Sequence, residues 1–348
     1  MKYKYLCAVF IFLILTAFIG GCVNQFDGDT NDTLTDTDTN INTDTNIKTT
    51  ETSEISSEEE PVSDKSNIIE IIVFDIGKAD AIIITTENHT VMIDTGENKH
   101  GPAIANYFRS RKINKIDYMI ITHFHKDHVG GARTILRNLT VNQVIVPDYG
   151  KESKQYNRFI QALNDRGVGK NILKETVKFT LDDVEFILYP SRQEYREYID
   201  NIIPGEDNQN DDENENDDYD EDEAGENDGS EVKENDFSIV VSVKHGVNNF
   251  LFAGDAMAER IGELLATDDI LETKYDFLKV PHHGKYNSRS LEFINAINPK
   301  YAVITCSFDK PADDRVVSAL ESIGADIYFT KNGDVCFISD GESLILFD

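Results

Sequence analysis

The densest group of candidate metal ligands in this 348-residue chain lies between Thr122 and Gly131. It contains His123, His125, Asp127 and His128, so three of the eight histidines fall within six residues. Imidazole and carboxylate together suit zinc, iron or manganese. An extended backbone directs the first two histidines to one side, whereas the last two residues follow a turn and can face a second position. The spacing predicts two metal positions, which can share and activate one water when they lie about 3.5–4 Å apart.

Strand-like runs recur from residue 68 onward and would have to position these side chains. They are rich in β-branched residues and occupy 68–74, 81–85, 91–93, 118–121, 144–146, 184–188, 239–243, 250–253, 277–280, 301–305, 327–329, 335–338 and 343–347. Helical patterns occupy 102–111, 131–137, 154–166, 256–266, 290–297 and 315–323. The dipeptide Asn332-Gly333 predicts a tight hairpin turn between two strands. Many strands with few helices indicate an α+β sandwich of sheets flanked by helices, rather than a doubly wound sheet.

The net charge of −31 is unevenly distributed along the chain. Residues 206–228 hold 14 acidic residues and no basic one, and residues 23–66 hold 12 acidic residues against two lysines. Removing the net charge of −24 on these two segments and the two lysines of the leader leaves −9 on the body. This balance disfavours the basic surface groove of typical DNA-binding proteins. The chain also lacks the repeats of collagens and coiled coils and the spans of polytopic membrane proteins.

The amino terminus has the pattern of an export signal over residues 1–22. Lys2 and Lys4 precede the apolar run 5–19, which is short for a membrane span. The sequence Ile19-Gly20-Gly21-Cys22 resembles the lipobox of bacterial and some archaeal lipoproteins, and this implies cleavage before Cys22 and lipidation of its sulfur. An uncleaved signal anchor is the alternative. Either way we expect a protein at the cell membrane that faces outside the cytoplasm, with membrane lipid as a partner through Cys22.

Two polar segments are predicted to be disordered. Residues 23–66 contain almost no large apolar side chains, so they cannot bury enough surface to offset their chain entropy and form a tether. The acidic run 206–228 repels itself and stays solvated, which predicts an inserted loop. Weak calcium binding is the alternative for this run, although the spaced pattern of a calcium loop is missing. The folded domain is therefore predicted to span 67–348.

Six short motifs, in their order along the chain, resemble those of one family. The segment 122–131 resembles the H-x-H-x-D-H signature of metallo-β-lactamase-fold hydrolases, and within that superfamily the chain is most similar to the ComEC-type hydrolase domain. The other motifs are Phe74-Asp75-Ile76-Gly77-Lys78-Ala79-Asp80-Ala81, Met92-Ile93-Asp94-Thr95-Gly96, Asn235-Asp236-Phe237-Ser238-Ile239-Val240, Phe252-Ala253-Gly254-Asp255 and Leu278-Lys279-Val280-Pro281-His282-His283-Gly284. The resemblance covers 67–348 apart from the acidic insertion, and it implies an αββα sandwich.

The resemblance also implies a role for individual residues. The implied metal ligands are His123, His125, Asp127, His128, Asp255 and His283. The first two would bind one metal and the others a second, with Asp255 bridging both. His282 would contact the substrate, so Asp127 and His282 are the expected catalytic residues. Asp75 and Asp80 would either orient ligand histidines or cap a turn and a strand, and Asp94 would belong to a structural turn.

The sequence departs from the family pattern at the first metal position. Many members supply a further histidine there, but none occurs between residues 129 and 244 of this chain. Asn235 or Asp236 is the expected substitute, with a water molecule as the alternative. Fewer imidazoles favour manganese over zinc. The expected cofactors are therefore two divalent ions, zinc or manganese.

The loop after the histidine pair is the candidate substrate-binding segment. Its candidate residues are Lys285, Asn287, Ser288, Arg289 and Ser290. Basic side chains can hold phosphate oxygens, while hydroxyl and backbone N–H groups add further hydrogen bonds. The alternative is a polar loop that leads into a helix with Ser288 or Ser290 as its N-cap.

These features together predict a metal-dependent hydrolase in which a hydroxide held between two metal ions attacks a phosphodiester, such as extracellular DNA. The acidic body opposes tight binding of a polyanion, so the cations and the loop 285–290 would have to offset the repulsion. Three alternatives stay open: hydrolysis of a small phosphoester, lactone or β-lactam, a weakly active metal-binding surface lipoprotein, and a surface protein that buffers cations.

Overall fold

Fifteen strands form two sheets in the parts of the chain that the structure describes, residues 68–192 and 234–347 of a computed structural model. The strands are β1 Ile69–Val73, β2 Ile82–Thr85, β3 Thr90–Ile93, β4 Lys115–Ile120, β5 Thr140–Pro147, β6 Lys170–Leu173, β7 Val177–Leu181, β8 Val184–Tyr189, β9 Val240–His245, β10 Asn248–Phe252, β11 Phe277–Lys279, β12 Tyr301–Ile304, β13 Asp326–Phe329, β14 Val335–Ser339 and β15 Leu344–Phe347. All thirteen predicted runs form strands.

Eight α-helices accompany these strands within the same ranges. They are α1 Gly101–Ser110, α2 Lys126–Val129, α3 Ala132–Asn138, α4 Lys154–Arg166, α5 Ala258–Leu264, α6 Asp268–Glu272, α7 Ser290–Ile297 and α8 Asp314–Ser322. Short 3-10 helices lie at Asn98–His100, Glu234–Phe237, Pro281–Gly284 and Thr330–Asn332. None of the helices in the described residues is long and apolar enough to cross a membrane.

The predictions for the leader 1–22 with Cys22, the tether 23–66 and the acidic insertion 206–228 lie outside the described residues and stay predictions. The insertion falls within the connection between β8 and β9, which are antiparallel neighbours.

The two sheets share one plan, in which an antiparallel half continues into a parallel half. The first has the order β15-β14-β1-β2-β3-β4-β5-β6, and the second has the order β13-β12-β11-β10-β9-β8-β7. The strands pair in parallel from β3 to β6 and from β10 to β13. Ligands of sheets with parallel strands commonly bind beyond the carboxyl ends of these strands.

The main hydrophobic core lies between the sheets. Phe277 of β11 and Phe337 of β14 pack edge to face with ring centroids 5.4 Å apart, and Tyr118 of β4 stacks on Phe179 of β7 at 4.4 Å. A second apolar cluster joins the outer face of the second sheet to α5, α7 and α8. On α1, α3 and α4 the apolar side chains are buried as well. The layers confirm the predicted α+β architecture, an αββα sandwich.

Two local predictions fail for physical reasons. β6 and β7 were not predicted, because both are edge strands with mostly exposed residues, and polar residues flank or interrupt their apolar ones, so neither has a continuous apolar run. Asn332-Gly333 does not close a hairpin. Its flanking strands lie in different sheets, since β13 pairs with β12 and β14 pairs with β1 and β15.

The carboxyl ends of strands from both sheets meet at one edge. β4 leads into the segment with three histidines, whereas β10, β11 and β12 lead to Asp255, the pair His282-His283 and Thr305. A hydrogen bond of 2.9 Å from the Ile239 N–H to the Thr122 carbonyl joins the two sheets there. This edge therefore gathers the predicted ligands.

Candidate metal centre

Backbone hydrogen bonds fix the segment that carries the clustered histidines. The Asp80 N–H donates to the Asp127 carbonyl at 3.1 Å, and the Thr95 N–H donates to the His128 carbonyl at 2.7 Å. Gly131 lies so close to this framework that a Cβ atom there would be 2.2 Å from the Thr95 carbonyl oxygen. The loop after β4 is thus held in one conformation by the loops after β1 and β3.

Four predicted ligands of the second metal position come together in one buried cluster. Asp127, His128, Asp255 and His283 each offer a ligand atom, and these atoms all lie within 4.8 Å of one another. Asp255 Oδ2 lies 3.2 Å from Nε2 of both His128 and His283, and Asp127 Oδ2 lies 3.3 Å from His283 Nε2. Neither Nε2 atom has an aligned hydrogen-bond partner among the described residues. Their lone pairs therefore converge on a position that suits a cation.

The Nδ1 atoms of His128 and His283 contact buried carboxylates, the first directly and the second through a hydroxyl. Asp94 Oδ2 lies 2.8 Å from His128 Nδ1. Thr305 Oγ1 lies 2.9 Å from His283 Nδ1 and donates to Asp80 Oδ1 at 2.6 Å. Such partners fix the tautomer of a ligand histidine, so that Nε2 keeps its lone pair for a metal.

Two sequence-based expectations can be compared with these contacts. Asp80 contacts the Thr305 hydroxyl beside His283, which agrees with the alternative in which it orients a ligand histidine. The prediction of a merely structural role for Asp94 is wrong, because its carboxylate contacts His128 and accepts hydrogen bonds from the Thr122 backbone and hydroxyl. Sequence alone gave no signal for this contact, which joins residues 34 positions apart.

The predicted ligands of the first metal position form a neighbouring pair. His123 Nε2 and His125 Nδ1 lie 3.0 Å apart, and the rings of His123 and His128 have centroids 4.0 Å apart. On its other side, His125 Nε2 lies 3.2 Å from Glu234 Oε2. A protonated Nε2 directed at this carboxylate leaves the Nδ1 lone pair of His125 beside His123 Nε2.

Glu234 is itself held by two further side chains. Lys151 Nζ lies 2.8 Å from its Oε2, and the Tyr149 hydroxyl donates to its Oε1 at 2.8 Å. Burial raises the pKa of Glu234, but the hydrogen bond from His125 and the charges of His125 and Lys151 outweigh this and lower it to about 2. Glu234 is thus a carboxylate at neutral pH. Sequence reasoning missed it, although it directly precedes the expected substitutes.

Asp236, one of those substitutes, has another role. Its Oδ1 accepts hydrogen bonds from the backbone N–H groups of Met257 and Arg260 at 3.1 and 3.0 Å, so the carboxylate caps the start of α5. These two hydrogen bonds occupy only Oδ1, so the prediction that Asp236 replaces the missing histidine stays a prediction. Asn235 keeps a buried Oδ1 with no hydrogen-bond partner in the described part of the chain, so its ligand role stays a prediction.

The centre carries an excess of negative charge. Asp80, Asp94, Asp127 and Asp255 are all buried, and Lys279 is the buried ammonium among them. Its Nζ forms an ion pair with Asp80 and lies 3.6 Å from Asp255 Oδ1. With neutral imidazoles, four carboxylates and one ammonium leave three uncompensated negative charges.

The pKa values of the two imidazoles reflect this excess. Burial lowers the pKa of His283, but the carboxylates of Asp255 and Asp80 outweigh it and raise the pKa to about 10. Burial likewise opposes protonation of His128, whereas Asp255 and Asp94 raise its pKa well above the ordinary value. The environment therefore favours positive charge at the position where the two Nε2 atoms converge.

His282 differs from its neighbour in the same 3-10 turn. Both residues have left-handed backbone dihedrals, with φ of 49° and 54°, a conformation that costs a non-glycine residue about 1–2 kcal/mol. His282 is buried, and neither ring nitrogen has a hydrogen-bond partner among the described residues. Burial lowers its pKa to about 4, and the charges of Lys78 and Lys285 act in the same direction. The predicted contact of this neutral imidazole with substrate stays a prediction.

The following loop divides into structural and exposed residues. Asn287 and Ser290 are buried, the Asn287 N–H donates to Ser290 Oγ at 2.8 Å, and Asn287 Oδ1 accepts from the Arg289 N–H at 2.9 Å. These polar groups stabilise the turn before α7, and the prediction that they bind substrate stays a prediction. The alternative N-caps are wrong, since the N-cap is Arg289. Lys285 and Ser288 are exposed, and their substrate-binding role stays a prediction.

Comparison with known proteins identifies relatives of the whole domain. Residues 75–307 match the family described as the Metallo-beta-lactamase superfamily. ComE operon protein 3 of Bacillus subtilis is 23% identical over 255 residues, covering 68% of this chain and 28% of that protein. Recombination protein 2 of Haemophilus influenzae is 23% identical over 240 residues, covering 68% of this chain and 24% of that protein. The chain thus spans about a quarter of the length of these curated relatives.

A solved structure shows a weaker likeness. The metallo-β-lactamase fold protein YhfI of Bacillus subtilis has a TM-score of 0.46 at 9% identity, covering 78% of this chain and 99% of that chain.

Proposed function

Because the chain belongs to the metallo-β-lactamase superfamily and is a metal-dependent hydrolase of that superfamily, we propose that it hydrolyses phosphodiesters, with extracellular DNA or related molecules as substrates. The proposal depends on one observation above all. Asp255 Oδ2 lies 3.2 Å from the Nε2 atoms of both His128 and His283, which point at one buried position.

The residues of the centre fit two divalent ions. Asp127, His128, Asp255 and His283 would hold one ion, and His123 and His125 would hold the other. The family resemblance implies that Asp255 would serve as a ligand for both. Imidazole and carboxylate ligands suit zinc and manganese. Two divalent ions and one hydroxide would also neutralise the three uncompensated negative charges of the centre. This balance supports two ions rather than one.

The bound ions would supply Lewis acidity and lower the pKa of water to roughly 7. The protein contributes the geometry. Asp94 and the pair Asp80 and Thr305 hold the ligand imidazoles in one tautomer, while the Lys279 ammonium remains beside Asp255 Oδ1. The left-handed turn at His282 and His283 places the second imidazole in the cluster, and the ring nitrogens of the first have no hydrogen-bond partner within residues 68–192 and 234–347. His282 can therefore accept or donate a hydrogen bond at the substrate.

The positive charges of two lysines near His282 favour an anionic substrate. Lys78 and Lys285 lie close enough to His282 to lower its pKa, so their ammonium groups can also offset the charge of a phosphodiester. One curated relative is named as a recombination protein, and recombination is a process of DNA. This supports a phosphodiester over a lactone or a β-lactam. We further propose that Cys22 anchors the protein in membrane lipid, outside the cytoplasm.

Metal content and hydrolysis, measured on the same preparations, test the proposal. We expect about two equivalents of manganese or zinc by mass spectrometry and hydrolysis of bis(p-nitrophenyl) phosphate. Asp255→Ala and His283→Ala should lose both metal and hydrolysis, whereas the control His89→Ala, in the turn between β2 and β3, should keep both.

Three results would contradict the proposal. Unchanged metal content in Asp255→Ala would reject the site. Metal binding with cleavage of a lactone or β-lactam but of no phosphodiester would reject the substrate class. Metal binding without any hydrolysis would favour a binding lipoprotein.

A further inference from the structure

An exposed aromatic side chain lies on the loop that borders the centre. The segment 306–313 connects β12 to α8. It begins directly after Thr305, whose Oγ1 is 2.9 Å from His283 Nδ1, and it ends at Asp313, whose N–H donates to the Gly284 carbonyl at 3.0 Å. Within this segment, Phe308 is 75% exposed, more than any other large hydrophobic residue in the described ranges.

The neighbouring strand places a lysine against this ring. Lys331 follows β13, and its Nζ is 5.7 Å from the centroid of Phe308 and 4.8 Å from that of Phe329. β11, β12 and β13 are parallel neighbours, so their carboxyl ends lie side by side. Strands are about 4.8 Å apart, which places the end of β13 about 10 Å from the end of β11 with its histidine pair. Phe308 and Lys331 therefore follow strands that end at the same edge of the second sheet as the histidine pair.

The chemistry of this pair suits a nucleobase better than another apolar group. A single exposed phenyl ring would bury little apolar area against a partner protein or membrane. Its π-face is nevertheless a surface on which any nucleobase can stack. The Lys331 ammonium is near enough to meet a neighbouring phosphate. Asp309 and Lys310 are both exposed beside Phe308, and their charges are opposite, so the loop around the ring lacks the cluster of basic residues that holds a protein on an anionic lipid surface. The observations thus favour a single strand, whose unpaired bases are accessible, over a membrane.

We propose that Phe308 and Lys331 form a subsite in which a base of single-stranded nucleic acid stacks on the phenyl ring while its backbone enters the metal centre. This inference rests on the proposed phosphodiesterase function and names its substrate class. Duplex DNA cannot use the subsite without unpairing. Small diesters that lack a base do not reach it.

The composition of the chain offers a direct probe. The sequence contains no tryptophan, so Phe308→Trp introduces a single tryptophan at the subsite, whose fluorescence can be excited selectively over that of the 14 tyrosines. We expect a short single-stranded oligonucleotide to quench this fluorescence, and an oligonucleotide with abasic positions to quench it much less. Vesicles of anionic lipid should leave the fluorescence unchanged. Because this experiment measures binding, it reports on the subsite even if no substrate is hydrolysed.

Hydrolysis provides the second arm of the test. Stacking on an aromatic side chain contributes enough to raise KM about 5- to 150-fold when it is lost. We expect this rise for an oligonucleotide in Phe308→Ala, no change in its KM for bis(p-nitrophenyl) phosphate, and recovery in Phe308→Trp. Val247→Ala serves as the control, since Val247 is 69% exposed but lies at the opposite end of β10.

The outcomes separate the two proposals. An unchanged KM for the oligonucleotide in Phe308→Ala, or quenching by vesicles and not by the oligonucleotide, overturns the subsite. If the unmodified protein hydrolyses no diester, this result contradicts the proposed function instead, whatever the fluorescence shows.

Discussion

Replacing Glu234 by glutamine would test how the first metal position is held. The carboxylate receives His125 Nε2 at 3.2 Å, Lys151 Nζ at 2.8 Å and the Tyr149 hydroxyl at 2.8 Å. Glutamine keeps the length and shape of the side chain but removes its charge. His125 would then lose the partner that directs its Nδ1 toward His123, and the two nitrogens would no longer be fixed 3.0 Å apart.

The expected effect follows from these contacts. Removing the partner of a ligand histidine typically lowers metal affinity about 10- to 100-fold. Oε2 of Glu234 is shared between His125 and Lys151, and the glutamine oxygen can still accept one hydrogen bond. We therefore expect the lower end, about tenfold, which corresponds to about 1.4 kcal/mol of binding free energy.

Calorimetric titration of the metal-free protein with manganese measures this change. The unmodified protein should show two binding steps, and Glu234→Gln should weaken one of them about tenfold while leaving the other within about twofold. Glu185→Gln is the matched control, because Glu185 forms an ion pair of 2.7 Å with Lys178 on the hairpin of β7 and β8. It should change neither step.

Two results would refute the reasoning. If both steps in Glu234→Gln match those of Glu185→Gln, Glu234 does not position His125. If one step is lost entirely, Glu234 is itself a metal ligand, and the assignment of the His125 nitrogens is wrong.

Three further predictions concern the framework of the domain. Lys279→Met should destabilise the metal-free protein by about 3–5 kcal/mol in urea unfolding, because it leaves buried carboxylates without their ammonium, and saturating manganese should recover part of the loss. Asp182→Asn should lower the free energy of unfolding by about 1–3 kcal/mol at pH 7. Burial raises the pKa of Asp182, but its hydrogen bonds lower this pKa well below the ordinary value, so the carboxylate stabilises the fold above about pH 4. The difference in stability from the unmodified protein should shrink as the pH falls below that value. Gly131→Ala should abolish metal binding in calorimetry while circular dichroism keeps its strand signal, because the added Cβ would lie 2.2 Å from the Thr95 carbonyl oxygen, and unchanged binding would contradict the described path of this loop.

The sequence predicted the parts of the centre that depend on local spacing. His123, His125, Asp127 and His128 fall in one short motif at the end of a strand, so their proximity needs no knowledge of the tertiary structure. The meeting of this motif with Asp255 was predicted only through the order of the family motifs. The continuous apolar runs of the buried strands likewise made it possible to locate these strands from the sequence.

What the sequence did not predict depends on contacts between distant segments. Asp94 contacts His128, and Glu234 contacts His125. Asp94 stands in the motif 92–96, but that motif predicted only a structural turn, and Glu234 stands in none of the six motifs. Asp236 was assigned to the metal because of its position, but the backbone N–H groups at the start of α5 compete for its carboxylate. The same limit applies to Asn332-Gly333, where local turn chemistry cannot tell whether the next strand joins the same sheet.

The division of the centre between two sheets has a consequence for how the protein responds to its surroundings. The ligands after β4 belong to the first sheet, and those after β10 and β11 belong to the second, so a bound ion would cross-link the two layers at their shared edge. An ion at 100 times its dissociation constant adds about 2.7 kcal/mol to the stability of the native state. If the domain faces the exterior, where no cytoplasmic buffer sets the supply of metal, the cohesion of the sandwich would rise and fall with the concentration of manganese or zinc in the medium. Chelation should therefore separate the layers first at this edge, which hydrogen exchange of the backbone amides at the ends of β4 and β11 can follow.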